Sequence, residues 1–292
     1  APDRTSQWYT GSMLIGHHVS AAGGSQNAPK NAHDLKCEIF QFFTRSPQGG
    51  AAPKLTPEIV AAFKAENTKY SIARTYVHTP YFINFASANA GLRKGSIEIV
   101  RGELERSSLL GVTAVMTHLG SAKDVGEVKA QKMVGDGVKA ILKGYTGSAL
   151  FLLENSAGSG AAIGGTLEQL AAFINAVPAT QRKKLGICVD TCHAFASGYD
   201  LRTKSTVDAF LKKFDKLIGL QYLKLFHVND SKMDLGEHKD RHEHIGDGKI
   251  GLAGFKALCA HPKLKNIDMI LETHHDGKHI ADIALLKKLR KN

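Results

Sequence analysis

Eight short apolar runs, each bounded by turn residues, recur through this sequence, and no other feature restricts its fold as tightly. They cover residues 13–20, 37–43, 72–78, 114–120, 149–155, 185–193, 223–230 and 267–273, with starts 24 to 44 residues apart. Each interval leaves room for one helix and two loops. The segments between them repeat apolar residues at three- and four-residue spacing over 57–69, 90–110, 125–143, 167–177, 206–218, 252–259 and 280–290. The first of these opens with Pro57 after Thr56, a helix-start arrangement. Strict alternation of strand and helix predicts a parallel sheet with right-handed crossovers. Eight such units in 292 residues suit a closed (β/α)8 TIM barrel, of α/β class, better than an open doubly wound sheet. No linker divides the chain, so one domain is expected over 13–292, preceded by an extension, 1–12. The loop after the first run, HHVSAAGG, carries neither a P-loop lysine nor GxGxxG spacing, which excludes those two phosphate-binding fingerprints.

In a TIM barrel the chemistry gathers at the C-terminal ends of the strands. The residues expected there are His18, Thr44, His78, His118, Glu154, Asp190, His227 and Glu272. One histidine or glutamate ending a strand is an ordinary structural feature; seven of eight positions bearing an imidazole or carboxylate are not. Converging carboxylates repel and are costly to desolvate, and divalent cations relieve both penalties. His193, three residues after Asp190, and Asp240 with His242, in the loop after the seventh run, extend the set. Leaving His18 aside, the candidate ligands are His78, His118, Glu154, Asp190, His193, His227, Asp240, His242 and Glu272. Nitrogen and oxygen donors without thiolates suit zinc, with manganese or iron as substitutes. Nine are too many for one tetrahedral ion and enough for two or three. Closely spaced ions serve in-line displacement at phosphorus.

Charge agrees with that chemistry. Lys and Arg number 38 against 27 Asp and Glu, a formal charge of +11, which favours an anionic partner, nucleic acid first. Fourteen histidines are the sharper excess. Four cysteines, none in CxxC spacing, argue against a disulfide framework and read as free thiols. No run approaches a membrane span and the first residues lack an apolar signal core, so no membrane partner and an intracellular setting are expected, in cytoplasm and nucleoid, or in nucleus or mitochondrion.

Several stretches resemble the endonuclease IV family of apurinic/apyrimidinic endonucleases. The strongest is DTCHAFASGYDLR, Asp190 to Arg202, followed by HVNDSK from His227, LLENSAGSG from Leu152, IGHHVSAAGG from Ile15, DRHEHIGDGKIG from Asp240 and ILET from Ile270. The resemblance implies a TIM barrel with three zinc ions that cuts double-stranded DNA 5′ to abasic sites, leaves a 3′-OH and clears blocked 3′ ends. It implies His78, His118 and Glu154 as ligands of a first ion. Glu154, Asp190, His227 and Glu272 would hold a second, and His193, Asp240 and His242 a third. Glu154 and Glu272 would be central to catalysis. Family members also expel the abasic nucleotide with inserted side chains, and Tyr81 and Phe82 are the candidates here. The other inserting loop departs from the family pattern: FFTRSPQGGAA carries Gln48 where an arginine is common, with Arg45 nearby. Lys232, Arg241 and His18 are further expected DNA contacts.

Other residues have blander readings. Cys188 is expected in the barrel wall, His17 outward of His18, and His274, His275 and His279 as solvated loop residues. Lys287, Lys288, Arg290 and Lys291 read as a solvated helix end. A monomer is expected. The competing functions are a metal-dependent sugar isomerase or epimerase, which needs fewer ligands, and a non-catalytic binder of damaged DNA.

Overall fold

The structure, a computed structural model, describes residues 12–290. The expected extension therefore lies outside the described residues except for Ser12, as does Lys291. Eight parallel strands close into a barrel. In chain order they are β1 (Ile15–His18), β2 (Ile39–Phe42), β3 (Arg74–His78), β4 (Ala114–Thr117), β5 (Leu150–Glu154), β6 (Leu185–Asp190), β7 (Leu223–His227) and, after a short hairpin of β8 (Asp230–Ser231) with β9 (His242–Glu243), β10 (Asp268–Leu271). Neighbours around the barrel run β1-β10-β7-β6-β5-β4-β3-β2. Every barrel strand lies inside its expected apolar run.

The outer layer contains α1 (Ala28–Asp34), α2 (Pro57–Lys69), α3 (Ala90–Leu110), α4 (Glu127–Leu142), α5 (Leu167–Ala176), α7 (Lys204–Leu217), α8 (Gly251–Cys259) and α9 (Lys278–Arg290); a short α6 (Thr191–Ala196) leaves the end of β6. Thr56, Asn89, Thr166 and Thr203 cap their helices by accepting backbone N–H bonds, each satisfying donors the helix cannot. Expected helix boundaries hold within about two residues. Periodicity does not reveal α1, α6 or the β8–β9 hairpin, all too short to show a period.

Two cores result. Apolar faces of the helices and outward strand residues such as Phe40, Phe42, Val77, Val115, Phe151 and Phe226 fill the space between layers. Inside the barrel, Ile39, Tyr76, Met116, Leu152, Cys188, Leu225 and Ile270 form a separate plug. Cys188 thus holds the core role expected of it, but in the interior rather than the wall, as strand alternation requires. Gly16 keeps β1 and β2 close: a Cβ there would meet the Ile39 carbonyl oxygen at 1.7 Å. At the C-terminal end of the chain, Arg290 pairs with Glu38 at 2.7 Å and donates to the Met13 carbonyl, while Lys287 donates to the Lys36 carbonyl. These two cations tie α9 to the barrel floor instead of forming a solvated face.

Candidate metal centre

The plug positions the site. Side chains alternate along a strand, so the residue two beyond each plug residue also faces inward. Ile39 leads to Gln41, Tyr76 to His78, Met116 to His118, Leu152 to Glu154, Cys188 to Asp190, Leu225 to His227 and Ile270 to Glu272. Together these residues make one polar layer on top of the apolar plug. His193 arrives from α6, whose N-cap Asp190 accepts the His193 backbone N–H at 2.8 Å. Asp240 and His242 arrive with the loop into β9.

All nine candidate ligands converge. Donor atoms of His78, His118 and Glu154 lie within 4.8 Å of one another, as do those of Glu154, Asp190, His227 and Glu272, and those of Asp190, His193 and His242. Asp240 stands 3.1 Å from His193 and 3.2 Å from His242. Glu154 and Asp190 are each shared between groups. Cys192, Asp240 and His242 form a further group, in which burial pushes the Cys192 thiol up.

Electrostatics and tautomers are arranged around the centre. His78 Nδ1–H donates to the Thr79 carbonyl at 2.6 Å, leaving Nε2 against Glu154 at 3.0 Å. His193 Nδ1–H donates to the Asn155 carbonyl at 2.9 Å, leaving Nε2 against Asp240. Burial opposes charge on His193, but Asp190, Asp240 and Glu154 overcome it and lift its pKa to about 10. On His242, burial is likewise outweighed by Asp190 and Asp240, giving about 9. Burial would raise Glu272, yet His227 and other imidazoles hold it near 2, while His118 and His227 hold Glu154 well below the carboxylate range. Without cations, then, protons on the imidazoles balance the carboxylates. Metal ions exchange for such protons. His242 Nε2 bears on this directly: it is buried with no hydrogen-bond partner, although Asp240 and Asp190 oxygens lie 3.2 and 3.5 Å away. An imidazole nitrogen set between two carboxylates in this way fits a cation that takes the place of its proton.

The remaining expected site residues occupy the rim. Tyr81 and Phe82 are 63% and 45% exposed above the centre, and Tyr81 packs edge-on to Phe43. A Cβ on Gly49 would lie 3.7 Å from the Phe82 ring, so the two expected inserting loops touch. Arg45 donates to the Gly50 carbonyl of its own loop, and exposed Gln48 accepts from Ser46 at 3.0 Å. Arg241 and Lys232 border the cavity that opens onto the centre, with His18 at its side. Thr44 does not face the site: it lies on the opposite parity and donates to buried Glu103. Gln41 faces inward in its stead, a residue that alternation from Ile39 identifies and a search for strand ends misses. Asn229, beyond the end of β7, escapes the same search; it donates to Asp190 Oδ2 at 2.7 Å and accepts the Glu272 N–H at 2.9 Å.

His17 is turned outward as expected, but it is fully buried, its ring against His275 and His279, and burial lowers its pKa to about 4. His279 is buried too, rather than solvated.

A closed parallel barrel with an acidic and imidazole centre at its C-terminal mouth matches the family of xylose isomerase-like TIM barrels, whose model covers residues 29–289. Within that class the chain belongs to the endonuclease 4 family. It is 40% identical to "Probable endonuclease 4" of Methanoculleus marisnigri over 282 residues, 95% of this chain and 98% of the relative. It is 38% identical to the protein of the same name from Chloroflexus aggregans over 280 residues, 94% and 97% of the two chains. The solved endonuclease IV of Thermus thermophilus superposes with a TM-score of 0.84 at 31% identity, covering 95% of this chain and 99% of that one.

Proposed function

We propose that this protein is a zinc-dependent DNA-repair endonuclease that hydrolyses the phosphodiester 5′ to abasic sites in duplex DNA, leaves a 3′-OH and clears blocked 3′ ends. The observation that carries the reading is the convergence of five imidazoles and four carboxylates on one centre at the barrel mouth, with His242 Nε2 aimed unpartnered between Asp240 and Asp190. His78, His118 and Glu154 would hold one zinc; Glu154, Asp190, His227 and Glu272 a second; His193, Asp240 and His242 a third, with Asp190 beside it. Manganese or iron would substitute. When bound, such ions supply Lewis-acid polarisation of the scissile phosphate and acidify water at neutral pH. The chain's own part is to assemble them: Glu154 and Asp190, each shared between groups, keep the sites adjacent. Tyr81 and Phe82, exposed above the centre, would fill the gap left by an expelled nucleotide, where no base stack has to be broken. Arg241 and Lys232 would pair with flanking phosphates and His18 would contact the nucleotide at the side of the cavity. Arg45 would shape the second inserting loop, with Gln48 presented at its tip. The acting form would be an intracellular monomer.

A duplex carrying one stable abasic analogue tests this. The metal-loaded protein should nick it once, 5′ to the analogue; chelator should abolish the nick, and zinc or manganese should restore it. Absence of incision together with turnover of a free ketose would move the protein to the sugar isomerases of the same fold.

A further inference from the structure

Gln41 is fully buried in the polar layer, and none of the roles above uses it. β2 pairs with β1 in the register His18 to Gln41, which brings this amide level with the centre. Its Nε2 donates to Glu272 Oε1 at 2.7 Å and to His18 Nδ1 at 2.9 Å. Because a carboxylate can only accept, the NH2 group must face Glu272, and this leaves the amide oxygen toward His227. That oxygen accepts His227 Nε2–H at 2.7 Å. His227 Nδ1 then faces Glu154 at 2.9 Å and Glu272 at 3.3 Å.

We propose that Gln41 is a positioning residue for the metal centre: one amide fixes the His227 tautomer, so that Nδ1 is the ligating nitrogen, and holds the Glu272 carboxylate beside it. The two ligands come from adjacent strands, β7 and β10, and Gln41 reaches them from β2 on the other side of β1, bracing the layer across the barrel mouth. Partners of this kind, donating to or accepting from a ligand's far side, raise metal affinity by restricting the ligand's orientation. The inference rests on the metal-centre reading above.

The test is zinc affinity of the whole chain, measured by competition with a chromophoric chelator, together with long-range 15N–1H spectra of the zinc-loaded protein. The parent should bind zinc and show His227 ligating through Nδ1 with a slowly exchanging Nε2–H. Gln41→Leu should weaken zinc binding about ten- to hundredfold and lose that proton signal, with unchanged circular dichroism. Gln41→Glu retains an acceptor for His227 but has no N–H for Glu272, so the proton signal should return. A Leu variant with parental affinity and an unchanged His227 spectrum overturns the role of Gln41 alone. If the Leu variant does not fold, absence of the signal in the Glu variant overturns it. A parent that binds neither zinc nor manganese overturns the metal-centre reading itself.

Discussion

At the scale of single residues, Glu154 carries the most weight, because it lies 3.0 Å from His78 and 2.9 Å from His227, in two ligand groups at once. Glu154→Ala should therefore lower incision of abasic duplex by about a thousandfold or more while circular dichroism stays that of a folded barrel; near-parental rates would remove Glu154 from the centre. His17 makes a different prediction. Burial lowers its folded pKa from 6.5 to about 4, so the unfolded chain takes up a proton first as pH falls. Its contribution is intact above pH 6.5 and is lost progressively down to pH 4, by about 3 kcal/mol. Urea unfolding across this range should show a steeper loss for the parent than for His17→Gln. Parallel curves would mean that His17 is protonated in the folded state as readily as in the unfolded one.

At the scale of elements, the segment from β8 to α8 matters because it delivers Asp240 and His242 from outside the barrel. Its anchor is Asp230, whose carboxylate accepts the N–H groups of Ser231, Gly246, Gly248 and Ile250 at 2.8 to 3.1 Å. Gly248 permits this approach, since a Cβ would lie 2.5 Å from Asp230 Oδ1. Asp230→Ala leaves several buried donors without an acceptor and should cost about 3 kcal/mol, read by chemical denaturation. It should also reduce the bound metal, since Asp240 and His242 would lose their anchored loop. A variant of parental stability would show that the loop's backbone finds other partners. The rim loops are expected to act on DNA and not on the fold: Tyr81, 63% exposed, changed to Ala should slow incision about tenfold with the melting temperature unchanged.

At the scale of the whole molecule, the net charge of +11 and the cationic Arg241 and Lys232 beside the cavity predict binding to phosphate backbone. Affinity for abasic duplex should fall linearly in logarithmic terms with salt concentration, as counterions are released. A flat response would count against a DNA partner. Among the described residues no helix is long and apolar enough to cross a membrane.

Much of this molecule is legible in its amino-acid order. Eight apolar runs alternating with seven segments of helical period already favour the barrel, because near-continuous apolar strands suit a parallel sheet buried on both faces and eight such units close more readily than they stay open. Most of the ligand types are legible because they sit at or near the end of an apolar run; Asp240 and His242 stand farther on, in the loop after the seventh run. Other features require three dimensions. Gln41 is hidden behind Thr44 because an apolar run shows where a strand is but not which parity faces inward; the plug of Ile39 and Tyr76 sets that. The burial of His17 and His279 and the pairing of Arg290 with Glu38 depend on where α9 packs, across more than 250 residues of chain in the last case. Architecture and the chemistry of the barrel mouth are therefore written in the chain itself, since both follow from local periodicity. For His193 and His227, which nitrogen faces the carboxylates is settled by tertiary packing, because Asn155 and Gln41, which make the choice, sit on other strands and loops, whereas for His78 the carbonyl of the adjacent Thr79 makes it.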